Sequence, residues 1–133
     1  RVKNFEKVNA RELDQTALPH EQYDVVVMDL SFISLKRVLE PVWKRLKPGG
    51  ILVALVKPQF EADRQAVSKG KGVIRDDALR TQILEEIKTF ALENLPHAHI
   101  IGHTESPIAG ADGNREFLLG LKKKPLSETS PAR

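Results

Sequence analysis

The sequence contains no cysteine, which excludes both a disulfide framework and a thiolate nucleophile. No apolar run approaches the ~20 residues that a bilayer-spanning helix needs. A strongly amphipathic basic helix, the usual device for disrupting membranes, is also missing, so membrane lysis and membrane partners find no support. Charge of one sign is in short supply too: 21 Lys+Arg stand against 18 Asp+Glu, a net +3. That mild basicity is compatible with a polyanionic partner but does not require one. The four histidines give little metal chemistry. His97, His99 and His103 fall on one face if their stretch is a strand, yet no carboxylate or cysteine is positioned to complete a ligand set. A solvated outer face and no metal are expected. The 133 residues suffice for one domain with a real core, and the cytoplasm is the default compartment.

What is present is organised around Ile51 to Glu61, ILVALVKPQFE. Six apolar residues, Ile51 to Val56, follow the turn signal Lys47-Pro48-Gly49-Gly50. Such a run between breakers reads as a strand buried on both faces, as in a parallel sheet under helices. It stops at Lys57-Pro58, because proline has no N–H for the ladder. A lysine is thereby left at the carboxyl end of a buried strand, the place where open α/β sheets bind ligands.

Tyr23 to Leu30, YDVVVMDL, is a second β-branched run ending at Asp29. Aspartate is a poor strand former and is rarely buried unpaired, so packing explains it poorly. Val2 to Val8 alternates weakly, a short strand, and Asn9 caps a following turn. Leu35, Val38, Leu39, Val42 and Leu46 recur at helical spacing after the N-cap candidate Ser34, with Pro41 splitting or kinking that helix. Lys57 to Arg75 reads as one long irregular loop, basic through Arg64, Lys69, Lys71 and Arg75 and made pliable by Gly70 and Gly72. Loops of that length are commonly functional or disordered, and this one reads either as a solvated surface loop or as a phosphate-contacting flap. Asp76 to Asn94 is the clearest helix, with Leu79, Ile83, Ile87, Phe90 and Ala91 on one face. His97 to Thr104 and Glu116 to Lys122 read as strands joined by a glycine-rich loop, and residues 125–133 as a disordered tail.

The alternation predicts an α/β fold with βαβ units and a mostly parallel sheet. The last two strands lack a helix between them, so the final one can run antiparallel. Inserted antiparallel beside Ile51–Val56, it would begin where the others end. Asp29, Lys57 and Glu116 would then converge on one rim. A lysine between two carboxylates needs desolvation, or another cation nearby, to serve as a base.

Four segments, DVVVMDLSFISL, LVALVKPQFEA, GKGVIRD and SPIAGADGNREFLL, together resemble the haemolysin-A-like (TlyA) branch of the FtsJ-like ribosomal RNA 2′-O-ribose methyltransferases, from about Val2 to Leu121. KPQFE followed by SPxxGxxGNxE is far more specific than a lone glycine motif. The resemblance implies a Rossmann-like methyltransferase sheet, S-adenosylmethionine as cofactor, and ribosomal RNA or a ribosomal subunit as partner. Of the family's lysine–aspartate–lysine–glutamate tetrad, it implies Asp29, Lys57 and Glu116 as catalytic residues. Asn9, Ala10, Asp29 and Leu30 fall where the family approaches the cofactor. Arg64, Lys69, Lys71, Arg75 and Asn114 fall where RNA would lie.

The first tetrad lysine and the glycine-rich cofactor loop have no counterpart before Asp29. The matching region is the later two-thirds of the family's catalytic domain, residues 1–124, so a sheet lacking its first two strands is expected. Without the glycine loop, weak or no binding of S-adenosylmethionine by the chain alone is expected as well. An uncovered Tyr23–Leu30 edge would be a template for pairing, met either by Val2–Val8 folding over it or by a second copy of the chain in a homodimer through that edge. The competing reading is a non-catalytic RNA-binding or interaction module.

Overall fold

The computed structural model describes residues 22–31, 33–62, 74, 76–108 and 113–125. The expected Val2–Val8 strand, the Asn9 turn, most of the basic loop and the tail after Pro125 lie outside these residues.

Among the described residues four strands form one sheet: β1 (Tyr23–Met28), β2 (Leu46–Val56), β3 (Ala98–Glu105) and β4 (Phe117–Lys123), in the order β1-β2-β4-β3. β1 and β2 pair parallel, and β4 runs antiparallel to both β2 and β3. The insertion of the last strand between the central strand and the histidine-bearing one is therefore as the sequence implies. Of the described helices, α1 (Leu39–Trp43) and the long α3 (Asp77–Asn94) cover the sheet, while a helical turn, α2 (Pro58–Glu61), follows β2.

The core lies on one face of the sheet. Leu52, Ala54 and Val56 of β2 and Leu119 and Leu121 of β4 are fully buried there, against Leu39 and Trp43 of α1 and Ile83, Leu84, Ile87 and Ala91 of α3. Alternate residues of β1 point away, leaving Val25 and Val27 60% and 72% exposed, and Ile51 is partly open beside them. The expectation that Ile51–Val56 is buried on both faces is thus corrected. α1 and α3 pack on a single side, so the two sets of alternate side chains meet different surroundings. Trp43 packs as expected and also donates from Nε1 to the Pro96 carbonyl at 2.8 Å. At that end of the sheet Lys123 Nζ reaches the carbonyls of Trp43 and Leu46 at 3.0 and 2.8 Å.

The helix expected over Ser31–Leu46 is two short pieces. Ser34 caps a 3-10 turn, Leu35–Arg37, accepting from the Lys36 N–H, and α1 follows. Pro41 sits in the first turn of α1, where its missing N–H leaves no intrahelical bond unmade. Leu46 belongs to β2, not to the helix.

The Lys47-Pro48-Gly49-Gly50 turn signal is absorbed into β2 as a bulge. Tyr23 pairs with Leu46 and Val25 with Ile51, so Lys47 to Gly50 stand opposite Asp24 alone. Gly49 adopts a left-handed φ of 86°. Gly50 is tight for a different reason: a Cβ there would lie 2.7 Å from Leu46 Cδ1 and 2.9 Å from the carbonyl oxygens of Asp24 and Lys47. Two backbone oxygens cannot move aside cheaply. Gly50→Ala is accordingly expected to cost about 1–3 kcal/mol of unfolding free energy in urea titration. A loss below a few tenths would contradict this packing of the bulge.

Candidate active site

β1 and β2 are parallel, so their carboxyl ends share one rim, and each hands a charged residue to it. Asp29 follows Met28, and Lys57 follows Val56. Met28 pairs with Ala54, which puts the two ends side by side. β4 arrives from the opposite direction with Phe117 paired to Val56, so Glu116 enters beside Lys57. The convergence of the three residues rests on that antiparallel register.

Lys57 Nζ lies 2.6 Å from Asp29 Oδ1, with side-chain exposures of 13% for the lysine and 65% for the aspartate. It also donates to Ser31 Oγ at 3.4 Å and stands 6.0 Å from the Phe60 ring centroid. With one partner this open to water, the ion pair adds little to stability. Its effect is to fix the direction of a nearly buried ammonium.

Glu116 is buried, 5% exposed. It is held by Gln59, whose Nε2 donates to Oε2 at 2.9 Å. Among the described residues the ion pair of Lys57 is with Asp29 and not with Glu116, so the expected lysine between two carboxylates is a lysine paired to one and adjacent to the other. The approach to β4 is anchored on α3: Asn114 Oδ1 accepts from the Ile74 N–H at 2.9 Å, and Arg80 Nε donates to the Ile74 carbonyl at 3.0 Å. Asn114, expected in RNA contact, is 2% exposed. Its side-chain carbonyl is engaged by backbone inside the fold.

Immediately after Lys57 the expected long loop is corrected over its first four residues, which form α2. Pro58 takes the first helical position, where its fixed φ and lack of N–H cost nothing. Glu61, at the end of this turn, accepts from Ser34 Oγ at 2.5 Å and from the Leu35 N–H at 2.7 Å. The turn is thereby tied to the segment that follows Asp29. Gln59, Ser31, Ser34 and Glu61 were not singled out as site residues from the sequence. The available signal was that a lysine, an amide and a carboxylate share one five-residue motif.

Leu30 is half-buried against the core beside Asp29. Asn9, Ala10, Arg64, Lys69, Lys71 and Arg75 lie outside the described residues. The histidine face does not form. His97 precedes β3 with a left-handed φ of 64°. The register then skips Ile101, pairing Ile100 with Leu121 and Gly102 with Gly120. This bulge reverses the alternation, so His99 and His103 project from opposite faces. No cluster of metal-ligating side chains occurs among the described residues. Nor is any described helix long and apolar enough to cross a membrane.

A charged rim at the carboxyl ends of parallel strands, with an antiparallel strand inserted next to the central one, is the arrangement of a methyltransferase-like α/β domain. The chain belongs to the FtsJ-like methyltransferase family, whose model matches residues 1–123. It is 40% identical over 120 residues to Hemolysin A of Brachyspira hyodysenteriae, covering 89% of this chain and 48% of that protein. It is 38% identical over 122 residues to the 16S/23S rRNA (cytidine-2′-O)-methyltransferase TlyA of Mycobacterium tuberculosis, covering 92% and 44%. A solved structure provisionally described as a hemolysin of Streptococcus thermophilus superposes with a TM-score of 0.79 at 38% identity, covering 93% of this chain and 44% of that one. The chain thus spans less than half the length of each of these relatives.

Burial pushes the Glu61 carboxyl above its ordinary value of 4.5, outweighing the hydrogen bonds from Ser34 and Leu35 and the charge of Lys36, which act the other way. A carboxyl raised in the folded state binds its proton more tightly there than when unfolded. Its contribution to stability is full below the unfolded value and is lost as pH rises through the folded one. Relative to Glu61→Gln, the native chain should lose thermal stability as pH rises from the ordinary carboxyl range through the raised folded value. Parallel melting curves of the two across that range would contradict the assignment.

Proposed function

We propose that this chain forms part of an S-adenosylmethionine-dependent methyltransferase acting on ribose 2′-hydroxyls of ribosomal RNA, with Asp29, Lys57 and Glu116 as its catalytic group. The observation that carries this reading is the 2.6 Å pair between Lys57 and Asp29 on the strand rim, with Glu116 entering alongside. A relative named for cytidine-2′-O methylation of 16S and 23S rRNA gives the substrate class.

S-adenosylmethionine, when bound, supplies a methyl group made electrophilic by its sulfonium. The residues at the end of β1 fit such a group: Asp29 is an open, acceptor-only carboxylate, and Leu30 an apolar wall beside it. Asn9 and Ala10 are assigned to the same pocket by family resemblance. Lys57, once its ammonium has released a proton to water, accepts the ribose 2′-hydroxyl proton as that oxygen attacks the methyl group, and Asp29 and Ser31 keep the lysine pointed at that oxygen. Glu116 adds a fixed negative charge to the same rim. Positioning and proton removal are the two effects asked of these side chains. Arg64, Lys69, Lys71 and Arg75 are assigned to RNA phosphates, where each contact adds salt-dependent affinity.

In the complete enzyme, Lys57→Ala should lower single-turnover methyl transfer at saturating RNA by about 10²–10⁴ while leaving RNA affinity nearly intact. Neutralising Arg64, Lys69 and Lys71 together should do the reverse, weakening RNA binding and flattening its salt dependence. Near-normal turnover in Lys57→Ala, with turnover lost at saturation in the triple variant, would overturn the assignment of roles.

A further inference from the structure

Gln59 is 6% exposed and Glu116 5%, so their 2.9 Å contact is sheltered from water. The amide can face a carboxylate in only one way, with its NH₂ forward, because the carbonyl oxygen would oppose another acceptor. Held so, Gln59 Oε1 is buried with no hydrogen-bond partner among the described residues. Buried polar atoms without partners are few in native proteins, and each calls for a reason. Here the orientation satisfies Glu116 at the expense of the glutamine's own oxygen. A buried carboxylate deprived of this donor would turn to the nearest cation. Lys57 begins the same turn two residues earlier and is already committed to Asp29.

We propose that Gln59 is the positioning residue of the rim: its amide holds Glu116 in one rotamer and so leaves the Lys57 ammonium to Asp29. Lysine and amide are carried by one turn, which fixes their spacing. That turn is anchored at its far end by Glu61 on Ser34 and Leu35. The structural half of this inference stands by itself, and its catalytic consequence rests on the methyltransferase reading above.

Two variants test it. Gln59→Met keeps length and removes the donor. Gln59→Glu keeps the shape but donates to Glu116 only while the acid pair holds a proton. Carboxyl ¹³C resonances and side-chain couplings of Glu116 in the labelled chain give the first readout. Gln59→Met should melt within a few degrees of the native chain yet displace the Glu116 signal and redistribute its rotamers. Gln59→Glu should match the native chain in acid and Gln59→Met in alkali. Methyl transfer at saturating RNA is the second readout: turnover should fall about tenfold or more in Gln59→Met with KM unchanged, and Gln59→Glu should approach the native turnover measured at the same pH as pH falls. An undisturbed Glu116 in Gln59→Met, a Gln59→Glu variant indifferent to pH, or native turnover in Gln59→Met would each overturn the proposal. If Gln59→Met fails to fold, the pH response of Gln59→Glu decides. If the complete enzyme transfers no methyl group while the Glu116 signals behave as stated, positioning stands and the proposed activity falls.

Discussion

Pro58 ends β2 and begins α2, and the contacts of the rim depend on where that turn falls. Lys57 before it is extended, with φ −113° and ψ 98°, and continues the line of β2 out to Asp29. Within the next four residues the chain reaches Glu116 through Gln59 and the 3-10 turn through Glu61. One short motif therefore touches the end of β1, the start of β4 and the segment leading to α1. A four-residue helix cannot hold itself together in water. Its geometry is imposed by β2 behind it and by the three partners around it.

The energetics separate what makes the fold from what makes the site. Apolar side chains of β2 and β4 buried against α1 and α3 supply the stabilising term. The rim contacts are different in kind. The Asp29–Lys57 pair is half open to water and adds little stability. Glu61 and Glu116 are carboxylates withdrawn from solvent, and Gln59 keeps an unsatisfied oxygen. Such an assembly opposes folding locally and is tolerated because the sheet beneath it is rigid. Local inconsistency of this kind collects where a protein does chemistry.

Much of this was legible in the sequence because the strands are strongly marked. DVVVMD and ILVALVK each announce a strand and the charged residue ending it. The absence of a helix before Glu116 gave the antiparallel insertion and hence the shared rim. What was hidden depends on pairing that local patterns do not record. The Lys47–Gly50 turn signal became a bulge because the ladder with β1 resumes on both sides of it. PQFE is too short for helical periodicity to be read, so α2 looked like loop. One bulged residue, Ile101, sent His99 and His103 to opposite faces. Asn114 looked like a surface residue because its partner, the Ile74 N–H, is forty residues away in sequence. The hydrogen bond between Gln59 and Glu116 spans fifty-seven.

The central claim is that Asp29 and Lys57 act as one unit. Groups that act together lose their effects non-additively, since removing either already removes the joint function. The decisive measurement is the single-turnover rate of methyl transfer to ribosomal RNA for Asp29→Asn, Lys57→Ala and the double variant. The account predicts that the double variant is no slower than Lys57→Ala alone. Losses that multiply, giving a double variant slower than either single one by the full product, would mean that the two residues serve separate steps and that their 2.6 Å contact is incidental to catalysis.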